Sequence, residues 1–424
     1  MHKWFTRYSE ILYLHFSEAF LRLPESAKSV VSPQNPLMRL LKVAGYTVVR
    51  LLGNLFESVE RPEKLRGKVW LYVVSQNNYD SLKFIEEALP EAVFVAGQRK
   101  QIGKYNAVVE RLSLRSKLLY YYKFIPLLLH FLKYKKASTT RFFDVLFDAV
   151  GFYEVYLRKL QTYKPKAIVF ANDHNADARA LLLAAKSMGI KTIYIQHASV
   201  SPMFPPLAYD LNLLEGQDAL DKYKLCGPVE GKVELIGMPK ADAYMPFRNK
   251  SETIQTIGIG CNLMDDLGEV EKVLIQLTRE LPTIRILLRP HPRDTRNFDR
   301  LQRISPQISL SDSRSVPTFD YLRQVDVQLS GNSGIHLEAV LLNVWSIFYD
   351  FNPKHKLVDY YGFVQHGLID AMAGPEELIF MLRENMEHKP SVYSRASYFN
   401  ATVGTPFDGR SAELALKHLR EFLL

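Results

Sequence analysis

The stretch "VDVQLSGNSGIHLEAVLLNVWSIFY", residues 325–349, decides the fold. It opens as a mostly apolar strand, turns through five small or polar residues, continues at helical spacing through Ile335, Leu337 and Val340, and ends on a second apolar strand. A strand, a helix and a strand joined this tightly form a βαβ unit with parallel strands. The turn Ser330, Gly331, Asn332, Ser333 and Gly334 then sits where backbone N–H groups converge on an anion, with two hydroxyls facing outward. Glu338 lies about one turn into the helix, which suits a carboxylate accepting from ribose hydroxyls.

About forty residues upstream, "RILLRPHPRD" (285–294) carries a strand that stops against Pro290 and Pro292, because proline cannot continue an interior strand. His291 is thereby fixed at the strand's carboxyl end, where ligands of open parallel sheets bind. Its imidazole can donate to a phosphate oxygen, reinforced by Arg289. Arg289, His291 and Pro292 join Ser330–Gly334 and Glu338 as the expected phosphate-binding residues, the donor site if the chain is a nucleotide-dependent transferase.

The alternation extends along the chain. "KVWLYVV" (68–74), "AVFVA" (92–96), "AIVFA" (167–171), "KTIYIQ" (191–196) and "KVELIGMP" (232–239) read as strands after a largely helical first 66 residues. From Thr253 the pattern restarts with "TIQTIGIG", "TIRILLR" and the stretch quoted above. The expected fold class is α/β: two facing Rossmann-like domains with an interdomain cleft and a helical N-terminal extension. The expected domains are residues 1–250, which bind the acceptor and carry a helical basic segment, and residues 251–424, which bind a nucleotide donor, the last helix crossing back.

"FANDHNADARALLLAAK" ends a strand at Ala171 and starts a helix near Ala176, leaving Asn172, Asp173, His174 and Asn175 at the strand's carboxyl end. A transfer reaction needs a base near the acceptor hydroxyl, and Asp173 and His174 are the nearest candidates. The competing role for Asp173 or Asn175 is a helix cap. "SGNSG" is one residue short of the Gly-x-Ser-x-Gly elbow of a serine hydrolase.

Composition narrows the class. With 47% hydrophobic and 23% charged residues the chain is globular, and two cysteines are too few for a disulfide framework. That suits a reducing, cytoplasmic location. The N-terminus has scattered charges and no uninterrupted apolar core, so a signal peptide is not expected. Of the net charge of +9, residues 97–141 alone account for +10, with eleven Lys or Arg against Glu110. Within them, residues 116–136 mix Tyr120, Tyr121, Tyr122, Phe124 and Phe131 with leucines and lysines, the profile of a segment lying at the inner face of a membrane. Helical pieces on either side of Pro126 are expected to put Leu118, Tyr122, Ile125, Leu129 and Leu132 on one side. No nucleic-acid motif accompanies the charge, so no nucleic-acid partner is expected.

"RPHP" followed by "SGNSGIHLEAVLLNVWSIFYD", preceded by "YIQHAS" and "IGMPKAD" and closed by "DGRSAELALKHL" (408–419), resembles bacterial surface-polysaccharide transferases of the GT-B type. These are the CDP-glycerol glycerophosphotransferases, the capsule Kdo transferases and the bacterial sialyl- and polysialyltransferases. The likeness runs from about residue 165 to the end. It implies that His291, Ser330, Ser333 and Glu338 hold a cytidine-nucleotide donor without a metal or other cofactor. It also implies a catalytic role for His197 in "QHAS", although Ala198 stands where the family usually has glycine. Asp173, His174 and His197 stay open as the base. The implied function is an inverting, metal-independent glycosyltransferase acting on an oligosaccharide or lipid-linked acceptor. The alternatives are a polyol phosphate transferase, a UDP-sugar epimerase or transferase of the same fold, and a non-catalytic membrane-surface protein.

Overall fold

The computed structural model describes residues 2–53, 60–97, 109–352 and 359–424; Arg99, Lys100 and Lys104 of the basic segment lie outside them. The chain forms two compact units, one of Met1–Leu214, Leu220–Glu234 and Leu416–Leu424, the other of Glu215–Ala219 and Leu235–Ala415.

In the first unit seven strands form one sheet: β1 (Val69–Tyr72), β2 (Ala92–Ala96), β3 (Glu110–Arg111), β4 (Ala167–Phe170), β5 (Lys191–Ile195), β6 (Leu211–Leu214) and β7 (Lys232–Leu235), in the order β3-β2-β1-β4-β5-β6-β7. The chain winds outward from β1 in one direction and then from β4 in the other, the doubly wound Rossmann order. β1, β4 and β6 are buried along their whole length, which is why they read as continuous apolar runs and do not alternate. Among the described residues five helices precede β1, the longest of them being Pro36–Gly53.

The second unit repeats the winding with β8 (Thr256–Gly260), β9 (Arg285–Arg289), β10 (Ile308–Leu310), β11 (Val327–Ser330), β12 (Trp345–Tyr349) and β13 (Asp370–Met372), in the order β10-β9-β8-β11-β12-β13. Its core is made by inward residues of these strands, among them Ile257, Ile259, Leu288, Leu329 and Ile347, and by Leu274, Leu277 and Leu337 of the covering helices. The winding reverses between β1 and β4 in one sheet and between β8 and β11 in the other. At such a switch point the loops leaving the two strands part in opposite directions and open a crevice.

Candidate active site

In the second unit the switch point is occupied by the turn the sequence singles out. β8 lies between β9 and β11 with Gly260 in register with both Arg289 and Ser330, so these three Cα atoms form a row. Two strand spacings put its ends about 10 Å apart. His291 follows one end by two residues and Ser333 follows the other by three.

The residues of that row are themselves structural. Ser330 is buried and its Oγ donates to the Gly260 carbonyl oxygen at 2.7 Å, tying β11 to β8. Glycine at 260 makes room for this, since a Cβ there would lie 2.9 Å from Gln328 Nε2 and 3.3 Å from Ser330 Oγ. The expectation of two outward hydroxyls is therefore corrected: residue 330 is the last of the strand and its side chain alternates into the sheet. Arg289 is buried as well, donating to Ser311 Oγ at 3.1 Å and the Val316 carbonyl at 2.8 Å, with its guanidinium over the Tyr321 ring. It braces the loop beside the site and spends its hydrogen bonds there.

His291 and the 331–334 turn lie beyond the ends of that row, past the carboxyl ends of β9 and β11. His291 Nδ1 accepts from the Arg293 backbone N–H at 3.1 Å. Burial first, and then the neighbouring Arg293 charge, lower its pKa below the ordinary histidine value. The ring is thus neutral at physiological pH, with the proton on Nε2, which makes it a donor. Pro292 is exposed, Ser333 Oγ accepts from the Ile335 N–H at 3.3 Å, and Asn332 Oδ1 accepts from the Tyr360 N–H at 2.8 Å. Gly334 adjoins the helix Ile335–Leu341 at φ −64°, a conformation open to other residues. Glu338 is paired with Lys240 at 2.7 Å. Beside them Glu215 is buried, and desolvation, only partly opposed by Lys240, lifts its carboxyl to about 8.

His336 escaped the sequence reading, although it stands in the quoted stretch. It is buried, its Nε2 donates to the Gly331 carbonyl at 2.9 Å and its Nδ1 accepts from Ser346 Oγ at 2.7 Å, so it pins the turn from below. Desolvation lowers its pKa from 6.5 to about 4. An unfolded chain takes up this proton near pH 6.5 while the fold refuses it until about 4, so the stability it gives is complete above 6.5 and is lost as the pH falls towards 4. The loss is on the order of 3 kcal/mol over that window. Glu215 acts oppositely, so urea unfolding of wild type is best compared with His336→Gln. The difference in stability between the two should shrink on acidification; a constant difference from pH 7 to 4 would remove the assignment.

In the first unit the loop between β4 and the helix Ala176–Ser187 carries the other candidates. Asn172 Oδ1 accepts from the N–H groups of His174 at 3.3 Å and Asn175 at 2.8 Å, which shapes the loop. Asp173 is buried, and its two oxygens are both engaged: Oδ1 accepts from His174 Nδ1 at 2.8 Å and Oδ2 from the Tyr223 hydroxyl at 2.6 Å. Tyr223 is itself held 3.0 Å from the Tyr194 hydroxyl. Burial alone would raise the Asp173 carboxyl, but His174, Tyr223 and the charge of His197 together hold it below the usual range. It is an anion that orients a histidine, and it does not cap the helix; Asn175 occupies that position without a side-chain bond. The carboxylate fixes the proton on His174 Nδ1 and leaves Nε2 as an acceptor. The His174 ring lies 4.9 Å from that of Phe204 and 6.2 Å from that of His197, which is half-buried beside it. Asp173, His174 and His197 are thus brought together. Tyr194 and Tyr223 carry no local signature in the sequence, because they reach this loop through the tertiary fold, Tyr194 from β5 and Tyr223 from the helix Gln217–Cys226.

Comparison with solved structures places this architecture. The UDP-GlcNAc 2-epimerase from Neisseria meningitidis bound to UDP-GlcNAc superposes with a TM-score of 0.55 at 12% identity, covering 84% of this chain and 100% of that one. The fold is that of the GT-B enzymes. The wall teichoic acid polymerase TagF superposes at 0.51 with 11% identity over 91% of this chain and 98% of its own, and the glycotransferase of kitacinnamycin at 0.55 with 14% identity over 85% and 99%. At these identities the likeness is one of fold. No protein-family model and no curated protein matches the sequence.

Proposed function

We propose that this chain is an inverting, metal-independent glycosyltransferase of bacterial surface glycan synthesis, using a cytidine-nucleotide donor such as a CMP-linked acidic sugar. The observation that carries the reading is the pair Asp173 and His174: a buried carboxylate bound to the Nδ1 of an imidazole, which leaves Nε2 for an acceptor hydroxyl. His174 Nε2 takes the proton of an acceptor hydroxyl as its oxygen bonds to the anomeric carbon. The carbon–oxygen bond to the donor phosphate breaks, and the electron pair leaves on the phosphate oxygen. His291 Nε2–H and the N–H groups of the 330–334 turn stabilise that developing charge, as preorganised donors do. Ser330 and Arg289 hold the turn and its neighbouring loop. Glu338, tied to Lys240, faces the donor's ribose.

The acceptor is an oligosaccharide or a lipid-linked glycan. A peripheral membrane contact through residues 116–136 is supported by the exposure of Leu119, Tyr122, Ile125 and Leu129. Leu118 and Leu132 are only half-exposed, and Lys117 and Lys123 are buried, Lys123 against Glu154 at 2.6 Å, because Pro126 falls in the first turn of the helix Phe124–Tyr134 and the preceding 3-10 helix turns these lysines inward. Among the described residues no helix is long and apolar enough to cross a membrane.

The neighbour that binds UDP-GlcNAc favours one second reading, a uridine-nucleotide enzyme. A thermal unfolding series with CMP, CDP and UDP separates the two. Saturating cytidine nucleotide, at about 100 times its dissociation constant, should stabilise by about 2.7 kcal/mol. UDP at the same concentration should do markedly less; the reverse order would replace the cytidine assignment with the uridine one.

A further inference from the structure

The helix Pro36–Gly53 is amphipathic with its faces reversed. Its charged residues turn towards the protein: Arg39 donates to the carbonyls of Thr140 at 2.8 Å and Arg141 at 2.5 Å, Lys42 pairs with Asp144 at 2.8 Å, and Arg50 pairs with Asp148 at 2.7 Å and bonds the Tyr121 hydroxyl at 2.6 Å. Its opposite face carries Leu37, Met38, Leu40, Leu41, Val48, Val49, Leu51 and Leu52, every one more than half exposed. The spacing is that of a single helical stripe, interrupted only by Ala44 and Gly45 and holding no polar side chain. Eighteen residues make it about 27 Å long. The helix packs against the helix Lys136–Ala149 and the 3-10 helix Arg115–Lys123, whose Leu119 and Tyr122 are exposed too.

A stripe of this size in water needs an occupant. Charge decides which one. Of the nine Lys or Arg in residues 30–53 and 114–136, which hold no acid, Arg39, Lys42, Arg50, Lys117 and Lys123 turn into the protein, while Lys133 and Lys136 are exposed at the margin. A second copy would bring these exposed lysines towards their own copies, with no acid in either segment to pair them. An anionic lipid monolayer supplies both an apolar layer for the stripe and negative headgroups for the margin.

We infer that the helix Pro36–Gly53 is the membrane-seating element of this protein, lying flat in an anionic monolayer with its leucine and valine face in the acyl layer and its arginine and lysine face on the protein. The inference does not depend on the transferase reading, because lipid binding is read without turnover. The test is flotation of the full chain with vesicles of phosphatidylcholine and phosphatidylglycerol, about three to one, and with phosphatidylcholine alone. Wild type should float with the mixed vesicles and far less with the neutral ones. The double variant Leu41→Glu, Val48→Glu should lose about tenfold or more in partition while keeping the unfolding temperature of wild type, since both sites face water in the free protein. Leu41→Ser, Val48→Ser provides the same test without added charge. Equal partition of either variant and wild type overturns the inference, as does wild type that stays unbound. A wild-type dimer that Val48→Glu converts to monomer would make a second copy the occupant and overturn it as well.

Discussion

Replacing His174 by alanine is expected to lower kcat for glycosyl transfer by about a thousandfold, within the range that positioned general bases contribute. Donor affinity should stay at the wild-type value, since the residue stands on the first unit and the 330–334 turn on the second. Asp173→Asn gives the sharper form of the same experiment. The amide still accepts from Tyr223 and keeps the loop's shape, but it no longer secures the proton on Nδ1, so His174 presents Nε2 as an acceptor only part of the time. A loss of about 10²-fold or more in kcat, with an unfolding temperature near wild type, is the expected pattern. His197→Ala should cost less than His174→Ala, because its ring is 6.2 Å from the His174 ring and the carboxylate is committed to His174. If His197→Ala proves the more damaging, the base is His197.

Much of this was legible in the chain because the signals were long or paired. β2 falls where "AVFVA" places it, and β4, β5, β11 and β12 differ from expectation by a residue or two at their ends, because buried parallel strands are apolar throughout and are bounded by turns. β3, β6, β10 and β13 went unread. They are two to four residues long, three of them at a sheet edge, and so short a run has no periodicity to detect. The site divided the same way. His291 and the Ser-Gly turn announce themselves through proline and glycine, which constrain backbone directly. The direction of a side chain is another matter. Ser330 and Ser333 look equivalent in the sequence, yet the strand ends between them, so one hydroxyl serves Gly260 and the other stays with the turn. Likewise the histidine of the quoted stretch, His336, supports the turn because Ser346 of β12 meets it from across the sheet, ten residues away. The reversed faces of the helix Pro36–Gly53 are hidden for a related reason: an amphipathic pattern gives two faces but does not say which one the protein covers.

The central claim is that a donor's phosphate lodges between His291 and the 330–334 turn. His291 is the group whose loss should be felt most there, since a neutral imidazole with Nδ1 occupied by the Arg293 N–H has one free donor and no second orientation to offer. Removing one such preorganised donor costs about 10²–10³ in kcat. Ser333→Ala should cost less, because the backbone N–H groups of the turn remain. The measurement is single-turnover transfer from the donor that protects best against unfolding, run for wild type, His291→Ala and Ser333→Ala. A fall of about a hundredfold or more for His291→Ala, with folding intact, is the predicted result; rates for both variants within a factor of about two of wild type would contradict the account.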